Sequence, residues 1–173
     1  AVPVAAQDLV TPEIGYFEAG IVCDGEIVGA TLAPGTEAGE VMLLDETPPF
    51  VSHSRRVPAV RGVGFGVLVA VAGEADPRTV LMRVSHPPFT GSGTEVETFV
   101  SALGSPGDPS IHLFRFDRDY EMVPGPWVME ALRDGELLYR AEFTVLPPAQ
   151  VPELAGICDY ESLLSGLPGG GVG

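Results

Sequence analysis

The sequence predicts an all-β fold, an antiparallel sandwich of about seven to nine short strands with a short C-terminal helix. Three observations predict it. The 173 residues include 22 Gly and 17 Pro, which punctuate the chain too often for long helices and suit short strands joined by turns. Apolar runs of strand length recur between those turns, while the amphipathic crossover helices of an α/β fold are missing. Asp134-Gly135 between two apolar runs marks a hairpin, because both positions tolerate a positive φ.

The elements follow in order. Ile14 to Val22 alternates well enough for a first strand and Gly39 to Asp45 for a second, with a turn at Pro34-Gly35 between them. Pro48-Pro49 ends the second, since two prolines remove two ladder donors. Val60 to Val71 reads as one long strand and Thr79 to Ser85 as the next, joined by a turn at Gly73 to Pro77. Pro87-Pro88 stops that strand, Thr90 to Gly93 is a flexible tip, and Thr94 to Leu103 is the strand after it. Gly104 to Pro109 is a loop by composition, before a strand at Ile111 to Phe116. Trp127 to Leu132 and Glu136 to Val145 form the hairpin. Beyond Pro147-Pro148, a short helix is expected within Pro152 to Leu164, and Gly169 to Gly173 should fray. The organisation is therefore an N-terminal segment (1–12), a sandwich domain (13–148) and a C-terminal extension (149–173).

Charge excludes whole classes of function. There are 24 Asp+Glu against 9 basic residues, all of them Arg, giving a formal net charge of −15. A phosphate backbone needs a clustered basic surface, so nucleic acid is not an expected partner, and anionic lipid is disfavoured for the same reason. The absence of lysine rules out Schiff-base chemistry and a P-loop of the GxxxxGK type. No run of 18 apolar residues is present to span a bilayer as a helix. The charge also falls in blocks: residues 1–46 carry nine acids and no base, 47–94 two acids and five Arg, 95–173 thirteen acids and four Arg. Attraction between the central block and its flanks is expected wherever a sandwich brings them together.

The opening residues, through Ala5 and Ala6, resemble the small-residue end of a secretory signal, so a periplasmic or secreted location is expected. Cys23 and Cys158 fit one bridge in an oxidising compartment, closing a long loop worth roughly 5 kcal/mol in the loop-entropy account. Two buried reduced thiols are the alternative. Neither cysteine has a CxxC partner or a nearby His, against metal binding or a thiol nucleophile.

Few motifs carry chemistry. Gly62, Gly64 and Gly66 alternate with Val63, Phe65 and Val67, so they line one face of a strand instead of turning into a helix around a phosphate. His53, His86 and His112 stand alone in sequence, and no GxSxG elbow surrounds a serine; Gly91-Ser92-Gly93 is a loop tip. Trp127 opens the last hairpin as a core anchor. The best site candidate is Asp117-Arg118-Asp119-Tyr120-Glu121: were the strand to continue, Asp117, Asp119 and Glu121 would project on one face at period two and ask for a cation, Ca²⁺ being the natural one. A solvated edge paired to arginine is the competing reading, and calorimetric titration with Ca²⁺ separates them. No resident cofactor is expected.

Taken together, Val57-Pro58-Ala59, Gly62, Phe65-Gly66, Val84-Ser85-His86-Pro87-Pro88, Phe116-Asp117, Glu121, Gly125-Pro126-Trp127, Asp134-Gly135, Leu138 and Phe143-Thr144-Val145 resemble the bacterial family called domain of unknown function 3859. The resemblance runs from about Gly15 to Val145, and the two cysteines and missing lysines look like an exported proteobacterial subgroup. It implies a small immunoglobulin-like β-sandwich and brings no catalytic residues. The function expected is that of a non-enzymatic module binding a protein or other extracytoplasmic ligand through loops or a strand edge, with a Ca²⁺- or small-ligand-binding protein as the alternative.

Overall fold

A computed structural model of the chain describes residues 7–23, 27–44, 46–73 and 79–164. Among these residues lie eleven strands: β1 (Leu9–Val10), β2 (Ile14–Val22), β3 (Ile27–Leu32), β4 (Glu40–Leu44), β5 (Arg56–Pro58), β6 (Gly64–Val71), β7 (Thr79–Ser85), β8 (Val96–Ala102), β9 (Ser110–Arg115), β10 (Gly125–Arg133) and β11 (Glu136–Leu146). One sheet runs β1-β11-β10-β7-β8, with β5 also pairing β11; the second runs β2-β6-β9; β3 and β4 form a separate hairpin. All pairings between strands are antiparallel except β5 with β11.

Alternation explains why the two sheets stack. In β7, Val80, Met82 and Val84 face inward, and in β10 Trp127, Met129 and Ala131 do, so each strand offers one apolar face. From the opposite sheet, Phe65, Val67 and Val69 of β6 close the core. Trp127 is the hub. Its ring centroid lies 5.0 Å from Phe114, 5.5 Å from Phe65 and 5.8 Å from Phe116, and its indole N–H donates to the Val123 carbonyl at 2.9 Å. Large aromatic area is thus buried with its one polar atom satisfied, which is how a Trp is tolerated in a core.

The glycines of β6 serve close approach to the adjacent strand β9. A Cβ on Gly66 would stand 1.9 Å from the His112 carbonyl oxygen of β9. The Asp134-Gly135 turn takes φ of 52° and 80° and joins β10 to β11 in two residues, as the sequence requires.

Several expectations are corrected. The strand starting at Val60 begins only at Gly64, because Gly62 turns at φ 88° and the chain first lays Arg56–Pro58 along β11. β1, β3 and β5 carry no period-two signal: two are two or three residues long, and β3 is exposed on both faces. They raise the strand number above the seven to nine expected. The short C-terminal helix is found where it is expected, as α1 (Glu161–Leu164), and 3-10 turns precede it. Within residues 149–164, Val151, Leu154, Ala155 and Tyr160 enter the core. The signal-like residues 1–6, the expected turn at residues 74–77 and the Gly-rich tail lie outside the described residues.

The block pattern of charge resolves into contacts. Arg55 pairs with Asp8, Arg56 with Glu153, Arg61 with Asp119 and Arg83 with Glu130, so each of these four central arginines meets an acid of a flanking block. Arg56 and Arg61 are exposed and add little; Arg83, against a buried Glu130 that Arg140 also approaches, adds more.

Cys23 and Cys158 are bridged, with Cα atoms 5.1 Å apart, tying the end of β2 to the C-terminal segment. Intact mass of unreduced protein is expected two hydrogens below the sequence mass, and reduction should lower stability by about 3–5 kcal/mol. Two alkylatable thiols without reductant would contradict the bridge. In urea unfolding, Gly66→Ala should cost about 1–3 kcal/mol or more through overpacking, whereas Gly29→Ala, whose Cβ would meet only Leu43 Cδ1 at 3.8 Å, should cost less; equal losses would refute the close-approach account.

Candidate functional site

The two sheets do not close on each other along the side formed by β8 and β9. Each is the last strand of its sheet, and the β3–β4 hairpin spans the gap. Beneath it lies a cleft of about 420 Å³, with apolar walls from Met42 and Leu44 of the hairpin, Phe99 of β8 and Leu113 of β9.

The hairpin tip is fastened to β8. Thr98 N–H donates to the Gly35 carbonyl at 2.9 Å, and Glu37 N–H donates to Glu97 Oε2 at 2.7 Å. Thr94 Oγ1 donates to the Glu37 carboxylate, and Arg118 reaches Glu40 at 3.5 Å. A buried carboxylate therefore takes part in holding the flap over the cleft.

That carboxylate has an unusual setting. Glu97 is 3% exposed, and among the described residues its Oε1 has no hydrogen-bond donor; Nε2 of buried His86 lies 3.7 Å from it. His86 donates from Nδ1 to the Pro87 carbonyl at 2.7 Å, so in its neutral form Nε2 carries a lone pair facing Glu97. Burial lowers the His86 pKa and raises that of Glu97, so each charged form is disfavoured by its surroundings. His86 also stacks on Phe89 at 3.9 Å and lies 4.6 Å from Trp127, which joins this pair to the aromatic core.

Glu121 is the second buried acid of the cleft. Burial pushes its pKa up to about 7 despite the backbone N–H groups of Asp117 and Arg118, which donate to Oε1 at 2.9 and 2.8 Å; nearby Glu97 adds to the rise. His112, on β9, is held neutral by burial, with its pKa down at about 4. Its Nε2 donates to the Ala102 carbonyl at 2.9 Å and its Nδ1 meets the Tyr139 hydroxyl at 2.6 Å, tying β9 to the opposite sheet.

The acidic row does not form as the sequence suggests. The strand ends at Arg115, and the Glu121 side chain takes the N–H groups of Asp117 and Arg118, so Asp119–Glu121 becomes a 3-10 turn. Asp117 pairs with Arg115 at 3.2 Å, Asp119 swings outward to Arg61 at 3.2 Å, and Glu121 turns inward. Among the described residues no three His, Cys, Asp or Glu side chains gather as a metal site. His53 is exposed beside Glu18, and Ser92 hydrogen-bonds to Thr94 in its loop. Glu97 was readable: it shares the inward phase of β8 with Phe99 and Ser101, an acid in register with a buried face. Its meeting with His86 and Glu121 was not.

Two stacked sheets whose terminal strands β8 and β9 flank a cleft, with a hairpin flap across it, make a mainly antiparallel β-sandwich. The chain belongs to the family described as Domain of unknown function (DUF3859), whose family model matches residues 11–145. It is 31% identical over 130 residues to a ribosomal RNA small subunit methyltransferase C of Stutzerimonas stutzeri (strain A1501), a match covering 69% of this chain and 39% of that protein's length. A solved immunoglobulin-like protein of Pseudomonas aeruginosa is similar at 19% identity and a TM-score of 0.47, covering 82% of this chain and 98% of that one. Alkylpurine DNA glycosylase AlkC of Pseudomonas fluorescens, bound to DNA containing an abasic site analog, is similar at 19% identity and a TM-score of 0.30 over 48% of this chain and 25% of its own.

A carboxyl whose pKa is raised on folding favours the folded state below its unfolded value and loses that contribution as pH rises through the folded one. For Glu121 the window runs from 4.5 to about 7. Glu121→Gln should therefore be more stable than the parent at pH 8, by about 1 kcal/mol after discounting for the open cleft, with the gap closing by pH 4.5. Thermal unfolding across that range checks it, and a pH-independent gap would refute the assignment.

Proposed function

We propose that the protein is an exported, non-enzymatic binding module that takes an extended segment of an extracytoplasmic protein into the cleft between β8, β9 and the β3–β4 hairpin. The observation that carries this is the pair of terminal strands, one from each sheet, flanking a cleft of about 420 Å³ with apolar walls. Terminal strands offer backbone donors and acceptors to an added strand, and alternate pockets beside them read its side chains. Val100 on β8, which lines the cleft and is 67% exposed, adds further apolar surface there. The Cys23–Cys158 bridge supports an oxidising compartment, and no described helix is long and apolar enough to cross a membrane.

The test is selection of a displayed random-peptide library on the full chain, with Ala38→Trp as the filled-cleft variant, since Ala38 lines the space. Enriched peptides should lose at least about tenfold in affinity on the variant, as expected when a bulky ring occupies their site. Peptides that bind both proteins equally, or no enrichment at all, would overturn the proposal.

A further inference from the structure

The charges around the cleft are not balanced. Five carboxylates line it against two guanidiniums, and both arginines are already matched, Arg115 by Asp117 and Arg118 by Glu40. Glu97 and Glu121 are left as buried acids without an ion-paired base within their hydrogen-bonding shells; what they have are backbone N–H groups. Glu97 Oε1 lacks even that, and His86 does not supply the proton in its neutral form because its N–H is committed to Pro87. A buried carboxylate oxygen without a donor is costly, and a group bringing N–H donors and positive charge removes the cost.

Resting on the reading of the cleft as a strand-binding site, we infer that the segment it takes carries a basic side chain, a guanidinium or an ammonium, seated against Glu97 and Glu121 while apolar neighbours lie on Phe99 and Leu113. The net charge of −15 draws such a segment toward the protein over longer range. The pocket chemistry then fixes its register. The groups facing the two acids are of both signs. Glu121 meets the N–H groups of Asp117 and Arg118, with Glu97 and the Arg118 guanidinium nearby; Glu97 meets Glu37, Arg118 and His86. A cation entering here favours the ionised carboxylates, so binding releases protons near neutral pH and weakens on acidification.

The probe is a pair of synthetic pools of acetylated heptapeptides, randomised except for a central residue that is arginine in one pool and citrulline in the other. Citrulline keeps the shape and loses the charge. The full chain should retain the arginine pool about tenfold better at pH 8, with calorimetry at pH 7 in buffers of different ionisation enthalpy showing proton release. In the double variant Glu97→Gln, Glu121→Gln, checked for folding by thermal unfolding, the preference should vanish. Equal retention of both pools by the wild type, lost in Ala38→Trp, overturns the inference and leaves the cleft reading standing. Retention of neither pool, or retention unaffected by Ala38→Trp, overturns both.

Discussion

Everything in this fold depends on Trp127 holding two sheets at one separation. Its ring meets Phe65, Phe114 and Phe116 from the second sheet's strands and the loop after β9, while its indole N–H is anchored to Val123 within its own layer. An aromatic cluster of this size fixes the spacing of the layers as well as burying area, because rings packed edge to face cannot be compressed or splayed without losing contact. On the other side of the core, His112 joins β9 to Tyr139 of β11 and to the end of β8. One strut is apolar, the other polar, and between them the mouth at β8 and β9 is held open.

The polar features of the cleft follow from that frame. His86 stacks beside Phe89 and near Trp127, so the group that faces Glu97 is positioned by the core itself. Glu97 in turn holds the Glu37 N–H and with it the tip of the hairpin. Packing in the core and the position of the flap are thus linked through two buried titratable side chains. Neither is placed there by local propensity, and each has lost solvation that ordinary pairing would restore.

Acidity has two different meanings in this molecule. Around the sandwich part of it is offset: central arginines reach acids on both sides of them in sequence, Arg55 to Asp8 and Arg83 to Glu130 among them. At the cleft it is not, since Arg115 and Arg118 are matched by Asp117 and Glu40 while Glu97 and Glu121 stay without a base. The same composition therefore places some acids in ion pairs around the sandwich and leaves two buried at the mouth without one.

The sequence by itself determined the sandwich, the hairpin at Asp134-Gly135, the strands Ile14–Val22 and Thr79–Ser85, and the cysteines available for a bridge, because turn chemistry and period-two patterning are local. It left β1, β3 and β5 unread, since short or doubly exposed strands exist only by virtue of what they pair with. The site shows the same division. Asp117, Asp119 and Glu121 looked alike in the sequence, yet the tertiary structure sent one to Arg115, one outward to Arg61 and one into the cleft, because the Glu121 side chain competes with the strand for backbone donors. Glu97, 24 residues away from Glu121 in the chain, meets it only when the edges of two sheets are brought side by side, and that is decided by packing across the core, not by any local signal.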